Sequence, residues 1–299
     1  QGRDLIVDME LALDVDGTFQ ALRSSNISNV GAHCVSLSPL SKGSGIITGS
    51  YRIPLAHLRS RATFSNTPPT NAYRSSGRPE IIYCVECMVE KTARTLGFDP
   101  IELRRKNLVT NEEMPYKNAV GMNYDSGKYE KSLDMVMGLN DWEAFDARKA
   151  EAKSRGKILG RGVAHYVESS IGSPVEQAEL HVRVEEDRLD LVIGTQPSGQ
   201  GHETSFAQVA SDYLGLPVEQ INVIVGDTDI VKVGGGSHSG RSMRMAGTVI
   251  VKVSETMIER GKRIAEHVFE ASLEDIEFKD GRFAIKGTDR RLNLLELGV

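Results

Sequence analysis

The residues best suited to chemistry lie in the stretch from Gly194 to Thr204, which reads GTQPSGQGHET. This stretch joins a strand-like run, 189–193, to a helix-like run, 205–214. Glycine lets a backbone approach a ligand closely, and the first turn of a helix offers unpaired N–H groups to an anion. The stretch therefore predicts either an anion-binding turn or an ordinary connection.

Two further turns that are rich in glycine or serine also open onto predicted helices. They run from Arg74 to Pro79 and from Gly234 to Ser242. If the three turns converge, their N–H groups and helix N-termini form an anion cradle. Its side-chain donors would then be Gln200, Ser239, Arg241 and Ser242. The residues alone leave both the cradle and three ordinary connections open.

Other kinds of site fit these residues less well. None of the turns matches the Walker pattern or the G-x-G-x-x-G fingerprint of nucleotide folds. His202-Glu203 has no second histidine four residues later, so it is not a zinc-protease motif. Glu168 and Glu203 could accept protons, but a surface or supporting carboxylate is the simpler interpretation. The sequence therefore predicts no metal ligands and no catalytic residue of its own.

Composition indicates a globular protein without a nucleic-acid surface. The chain has 299 residues, 26% of them charged, and a formal net charge of −5. No apolar run is long enough to span a bilayer, and no signal peptide is evident. The three cysteines, Cys34, Cys84 and Cys87, indicate a reducing compartment, hence a cytoplasmic protein. Cys84 and Cys87 are expected to be buried on a helix.

The pattern of elements predicts an α+β fold of two lobes, each a mixed or antiparallel sheet packed with helices. Strands are expected at 5–13 and 57–65, and a helix at 80–96. A second helix, begun by Asp99 and Pro100, is expected to end in a solvated basic run, Arg104 to Lys106. A polar stretch places the lobe boundary so that residues 1–127 and 128–299 form the two lobes. The second lobe is expected to contain strands at 162–169, 177–185 and 189–193, a long helix at 242–269 and a hairpin at 276–285.

Three separated segments resemble one known family, in the same order along the chain. They are NTPPTNAYRSSGRPE with the helix ending LGFDPIELRRKNL, then GTQPSGQGHETSFAQVASDYLGLP with INVIVGDTD, then GGGSHSGRSMRMAG. Together they resemble the molybdopterin-binding large subunit of the xanthine dehydrogenase, aldehyde oxidase and carbon monoxide dehydrogenase family, the molybdenum hydroxylases. The resemblance covers nearly the whole chain.

The resemblance implies a molybdopterin cofactor, in bacterial members often as the cytosine dinucleotide. It implies a molybdenum-dependent oxidoreductase that hydroxylates an aldehyde or an N-heterocycle with oxygen from water. Electrons would leave through iron–sulfur clusters to FAD on other domains or subunits, since three cysteines cannot ligate the clusters. An iron–sulfur partner, an FAD partner and an oligomeric full enzyme are therefore expected.

The resemblance also assigns roles to individual residues. Ser76 and the loop from Glu168 to Gly172 resemble positions that line the substrate funnel. The segments that resemble cofactor-binding ones contribute Arg74, Ser75, Gln200, Gly201, His202, Thr204, Ser239, Gly240, Arg241 and Ser242.

Two departures from the family pattern qualify this assignment. Copper-containing carbon monoxide dehydrogenases carry a cysteine where Ser75 stands, which disfavours copper chemistry here. The family's general-base glutamate lies in a glycine-flanked motif that this sequence lacks, so the chain is expected to be a central portion without turnover of its own. A non-catalytic scaffold of the same fold and one half of a split large subunit remain as alternatives. Flanking genomic sequence would distinguish the three.

Overall fold

The computed structural model describes residues 4–170 and 175–297. The chain divides into two compact units, Gln1–Glu168 and Ser169–Val299. Each unit combines small sheets with helices, so the predicted α+β class is confirmed. Within the described ranges, no helix has the length and apolar character needed to cross a membrane.

The first unit is built on a three-stranded sheet. Strands β1 (Leu5–Leu13) and β2 (Phe19–Asn29) pair antiparallel. Helix α1 (Ser38–Ser44) follows, and β3 (Leu55–Thr63) then pairs parallel to β2. Side chains of β1 alternate between exposed and half-buried, because successive residues of a strand point to opposite faces. One face of the sheet is therefore available for packing.

Helix α2 (Arg78–Leu96) packs against β1 and supplies much of the first core. Its buried side chains include Ile81, Val85 and Val89. Gly97 ends the helix in the left-handed conformation, which glycine adopts without strain. The expectation of buried helical cysteines is wrong. Cys84 is only half-buried and Cys87 is exposed, because both lie off the buried face of α2.

Helix α3 (Pro100–Asn107) begins with the predicted cap. The Asp99 carboxylate accepts hydrogen bonds from the N–H groups of Ile101 and Glu102 at 2.8 and 2.9 Å. The expectation of a solvated basic run is wrong for Arg104, which is 1% exposed. Its guanidinium points into the core because it pairs there with two carboxylates of α2, Glu86 and Glu90.

Those carboxylates, with Arg104, form the buried polar network of the first unit. Arg104 donates from Nε to Glu86 Oε2 at 3.0 Å and from Nη1 to Glu90 Oε2 at 3.1 Å. Tyr51 Oη donates to Glu86 Oε1 at 2.7 Å. Burial raises the pKa of Glu86, against the lowering effects of Tyr51 and Arg104. The network thus joins α2 and α3 to Tyr51 of the buried core.

The remaining elements of the first unit are short. They are β4 (Tyr116–Lys117), β5 (Asn123–Tyr124), α4 (Tyr129–Leu139) and α5 (Phe145–Ser154). Leu133 of α4 is 1% exposed and belongs to the same core as Phe19 and Ile81. The chain divides between the two compact units after Glu168. The lobe boundary at residues 127 and 128 stays a prediction.

The segment from 157 to 168 forms neither a helix nor a strand, and residue 169 lies in no strand either, so the strand predicted at 162–169 is wrong. No strand of the described part of the chain pairs with it. Side chains hold it to the first unit instead. The Arg161 guanidinium lies 4.2 Å from the centroid of the Trp142 ring, and the His165 ring packs edge-on against Tyr51 at 6.2 Å.

The second unit has a three-stranded sheet covered by helices. Strands β6 (Ala178–Arg183) and β7 (Arg188–Ile193) pair antiparallel, and β8 (Ile221–Ile224) pairs parallel to β7. Helix α6 (His202–Leu214) connects β7 to β8. Strand β7 is buried along nearly its whole length and confirms the strand predicted at 189–193.

A long helix and a small sheet complete the second unit. Helix α7 (Gly247–Phe269) is preceded by a π-helical turn, Ser242–Ala246. Strands β9 (Ile276–Lys279), β10 (Arg282–Ile285) and β11 (Arg291–Asn293) form the small sheet, with the predicted hairpin between β9 and β10. Phe283 of β10 packs against α7 where Gly261 provides room, since a Cβ there would lie 2.2 Å from the Phe283 ring.

Strand β7 also carries a buried carboxylate. Asp190 accepts from Arg183 Nε at 2.7 Å, from Arg188 Nε at 3.0 Å and from Asn222 Nδ2 at 2.8 Å. Its side chain is 2% exposed. All three partners lie on the β6–β7–β8 sheet, so this carboxylate stabilises the sheet alone.

The structure predicts that His165 makes the first unit sensitive to acid. Burial, with the Arg104 charge nearby, lowers the pKa of His165 from 6.5 to about 4. Between these values the unfolded chain binds a proton that the folded chain does not, so stability falls as the pH drops. The loss should reach on the order of 3 kcal/mol by pH 4.

Urea denaturation at pH 7, 5.5 and 4 would measure this loss, with His165→Gln as the control. The wild type should lose more unfolding free energy than the variant over this interval. Parallel curves for the two proteins would contradict the assigned role of His165.

Candidate functional site

The turn after β7 presents the N-terminus of α6 without a side-chain cap. Gly201, the residue before the helix, is left-handed with φ 71°, and Gly199 is left-handed with φ 97°. A Cβ built on either glycine would meet no atom within 4 Å. These glycines therefore serve a backbone conformation, and the space above them is open. The first N–H groups of α6 are left for an external acceptor.

The predicted side chains of this turn differ in where they point. Gln200 and Thr204 are exposed, and Gln200 Oε1 accepts a hydrogen bond from the N–H of Ser198. His202 is 4% exposed, and its ring stacks on Phe206 with centroids 4.8 Å apart. Its Nδ1 atom is buried and has no hydrogen-bond partner among the described residues. One polar atom at this turn is therefore without a hydrogen-bond partner in the part of the chain that the structure describes.

The second predicted turn, Gly234 to Ser242, has an equally unusual backbone. Gly236, Ser239 and Gly240 are left-handed, with φ 70°, 52° and 68°. Ser239 and Gly240 are exposed, and Ser242 shares a 2.7 Å hydrogen bond with Ser237 through their Oγ atoms. The π-helical turn that begins at Ser242 is a rare conformation, which is frequent at functional sites.

The structure brings these two turns into direct backbone contact. A Cβ on Gly194 would lie 2.2 Å from the Gly234 Cα and 2.5 Å from the Val233 carbonyl oxygen. Only glycine permits so close an approach of these two backbone segments. Two of the three predicted turns therefore form one continuous surface.

A buried ion pair that the sequence does not predict lies behind this surface. Arg241 is fully buried, and its Nη1 lies 2.9 Å from Oε2 of Glu176. It also donates to the Gly236 carbonyl oxygen at 2.6 Å. The sequence marks Arg241 as a candidate donor to an anion but offers no signal for Glu176, a single carboxylate that precedes a strand. The guanidinium faces inward, towards Glu176.

In the first unit, the turn from Arg74 to Gly77 is left-handed over its whole length. The φ angles are 30°, 55°, 46° and 89°. Each non-glycine residue in this conformation costs roughly 1–2 kcal/mol, so the surrounding structure must hold the turn in place. Gly77 is required, because a Cβ there would lie 1.6 Å from the Pro39 carbonyl oxygen.

Arg78 provides part of that support and joins two predicted site residues. It donates from Nη1 to the Ser75 carbonyl oxygen at 3.2 Å, and it forms an ion pair with Glu168 at 2.6 Å. Tyr166 Oη donates to the other oxygen of Glu168 at 3.2 Å. Ser76 shares a 2.8 Å hydrogen bond with Ser38. The sequence shows Arg78 only as a flanking residue, without its partner.

The predicted residues thus form one cluster in each unit. Arg74, Ser75, Ser76 and Glu168 belong to the first unit. The rest of the predicted funnel loop, from 171 onward, lies outside the described residues. No group of three or more potential metal-ligating side chains occurs among the described residues. The cluster in the second unit consists of Gln200, Gly201, His202, Thr204, Ser239, Gly240, Arg241 and Ser242.

A groove of about 660 Å³ lies along α2 but includes none of the predicted residues. Its lining includes Tyr83, Cys87, Arg94, Arg161 and Val163. It is therefore separate from the Arg74 to Gly77 turn of the same unit.

Comparison with known families gives two matches along the chain. The model of the molybdopterin cofactor-binding domain matches residues 1–108 and a second model of the same description matches residues 136–298. The second match alone covers more than half of the chain.

Similar proteins of known function extend the comparison. The chain is 31% identical to the carbon monoxide dehydrogenase large chain of Hydrogenophaga pseudoflava, over 98% of this chain and 39% of that protein. It is 28% identical to the 6-hydroxypseudooxynicotine dehydrogenase complex subunit gamma of Paenarthrobacter nicotinovorans, over 99% of this chain and 38% of that protein. It thus spans about two fifths of these relatives.

Among solved structures, quinoline 2-oxidoreductase from Pseudomonas putida 86 superposes with a TM-score of 0.89 at 30% identity. The superposition covers 99% of this chain and 40% of that one. The fold of the chain is therefore shared with a molecule more than twice its length.

The strained turn yields a stability prediction for Gly77. Gly77→Ala should cost about 3 kcal/mol or more, because left-handed strain adds to a backbone clash. Gly97 is the matched control, since it is also left-handed, with φ 79°, but a Cβ there meets nothing within 4 Å. Gly97→Ala should cost only about 1 kcal/mol. Equal losses of unfolding free energy in urea would refute the steric role of Gly77.

Proposed function

The chain belongs to the molybdopterin cofactor-binding domain family, and from that premise we propose that it forms the cofactor-holding part of a molybdenum hydroxylase large subunit. The proposed enzyme oxidises an aldehyde or an N-heterocycle with water as the oxygen source. The observation that carries the proposal is the joined pair of turns in the second unit. They combine an uncapped helix N-terminus with left-handed glycines and open space.

The donors of the second unit fit a pterin dinucleotide. Its pyrophosphate is an anion, and backbone N–H groups at a helix start and in left-handed turns bind anions. Exposed Ser239 and half-buried Ser242 add hydroxyl donors. His202 Nδ1, which has no hydrogen-bond partner among the described residues, can bind a polar group of the cofactor. We assign Gln200, Gly201, His202 and Thr204 to the pterin side. The cytosine form rests on the resemblance of the segment from Ser239 to Ser242.

Arg241 contributes to this site through the shape of its loop. Its guanidinium is enclosed by Glu176 and by the Gly236 carbonyl oxygen. Ser239 and Gly240, which precede it in the turn, are exposed, while the Arg241 N–H donates to the His238 carbonyl oxygen at 3.0 Å. The dinucleotide pyrophosphate would therefore be held by the backbone and by serine hydroxyls.

In the first unit, we assign Arg74 and Ser75 to the surface beneath the metal, and Ser76 and Glu168 to the substrate funnel. When bound, the molybdenum cofactor supplies the oxidation of the substrate carbon. The residues of the turn orient what binds there, because its left-handed backbone is held by Arg78 and Ser38. A serine hydroxyl at position 75 is a poor ligand for soft Cu(I), which disfavours a copper centre.

The proposed enzyme works with other electron carriers. The three cysteines of this chain are too few to ligate iron–sulfur clusters. An iron–sulfur subunit or domain and an FAD subunit or domain are therefore the proposed partners, within an oligomeric enzyme. Two relatives are named as a large chain and as one subunit of a complex, which supports such an assembly.

Metal and pterin analysis of the purified protein that carries this chain tests the proposal. We expect molybdenum and a pterin, and release of cytidine monophosphate after hydrolysis of the dinucleotide. A preparation without pterin would overturn the proposed function. Pterin without cytidine monophosphate would overturn only the dinucleotide form.

Gln200→Ala should weaken cofactor retention. The variant loses the side chain that closes the turn onto the Ser198 N–H. Because the variant must order this turn when it binds the cofactor, the lost hydrogen bond, worth about 1 kcal/mol, corresponds to about five-fold weaker binding. Molybdenum and pterin content after gel filtration measures it. Gln220→Ala is the control, because the Gln220 side chain donates to Asp187 of the same unit at 2.7 Å and lies outside the predicted site. If both variants keep wild-type pterin content, Gln200 has no role in binding.

A further inference from the structure

We propose that Glu176 is a positioning residue that sets the shape of both cofactor turns in the second unit. It acts through Arg241 and Thr195 and makes no contact with the cofactor itself. The proposal rests on the proposed function and adds a residue outside every motif that carries the family resemblance.

The pair formed by Glu176 and Arg241 is fully enclosed. Both side chains are 0% exposed, and Oε2 of Glu176 lies 2.9 Å from Nη1 of Arg241. A buried charge is strongly unfavourable without its partner, so each residue fixes the position of the other. The guanidinium cannot turn towards the cofactor without leaving the carboxylate uncompensated.

The same carboxylate oxygen reaches both turns. Thr195 Oγ1 donates to Oε2 at 2.5 Å, and the Gly235 N–H donates to it at 3.3 Å. Thr195 begins the turn after β7, and Gly235 lies in the turn before α7. One atom of Glu176 therefore binds three groups from two turns.

The space around this carboxylate leaves no room for a side chain at two neighbouring positions, and both are glycine. A Cβ on Gly235 would lie 2.5 Å from Cζ of Arg241, and one on Gly194 would lie 2.9 Å from Oε1 of Glu176. The backbone thus packs directly against the guanidinium and the carboxylate. Gly194 and Gly235 serve this packing, while the left-handed Gly236 supplies the carbonyl oxygen that accepts from Arg241.

Loss of Glu176 should therefore loosen the turns more than the fold. Arg241 stands directly between left-handed Gly240 and the π-helical turn at Ser242. If its guanidinium is released, Ser239 to Ser242 lose their anchor, and Thr195 loses its acceptor. The expected consequence is mobile turns and faster release of cofactor.

Glu176→Gln in the holoenzyme tests the proposal, because it removes the charge and keeps the shape. Asp190→Asn is the matched control, since Asp190 is a buried carboxylate of the same unit whose partners all lie on the sheet. Hydrogen exchange after cofactor removal reports on the turns at 195–201 and 235–241. Pterin fluorescence of the released fraction reports on retention.

We expect Glu176→Gln to raise exchange in both turns at least ten-fold and to release pterin at least ten times faster. Asp190→Asn should lower the melting temperature and change neither quantity. Equal behaviour of the two variants would overturn the positioning role.

Thr195→Val keeps the ion pair and serves if Glu176→Gln does not fold. It should raise exchange at 195–201, and Thr195→Ser should restore the wild-type value. Valine and serine variants with the same exchange would overturn the proposal. A wild-type enzyme without pterin would overturn the proposed function, while the exchange comparison would still decide the role of Glu176 in the turns.

Discussion

The burial of one ion pair, Glu176 with Arg241, is the constraint on which the second unit's site depends. Two charges in an apolar interior are tolerated only when each satisfies the other and the remaining donors find acceptors. Here the acceptors are a carboxylate and a backbone carbonyl, and the packing demands glycine at Gly194 and Gly235. The irregular backbone that offers N–H groups to an anion is thus a consequence of how this pair is enclosed.

In the first unit, too, a buried arginine stabilises an unfavourable turn. The left-handed turn from Arg74 to Gly77 is unfavourable in isolation, and Arg78 holds it through the Ser75 carbonyl oxygen and Glu168. In both units a buried arginine pairs with a carboxylate from a distant segment. The pair stabilises a loop conformation that is unfavourable by itself. Rigid loops of this kind can bind a ligand without a large loss of conformational entropy.

Local signals made much of this fold predictable. The Asp99 cap, the strand at 189–193 and the β9–β10 hairpin each follow from neighbouring residues, and the structure confirms them. What the sequence could not predict depends on distant partners. Arg241 and Glu176 are 65 residues apart, and Arg104 is buried because Glu86 and Glu90 face it from another helix. The segment 162–169 has the alternation of a strand but no partner strand in the described part of the chain.

The central claim is that the joined turns of the second unit hold a molybdopterin dinucleotide. An experimental structure of the purified holoenzyme would test it most directly. We predict density for the dinucleotide against the turns, with phosphate oxygens within hydrogen-bond distance of the Ser239 and Gly240 N–H groups and the pterin beside Gln200 and Gly201. A cofactor bound elsewhere, with these turns facing solvent, would contradict the account.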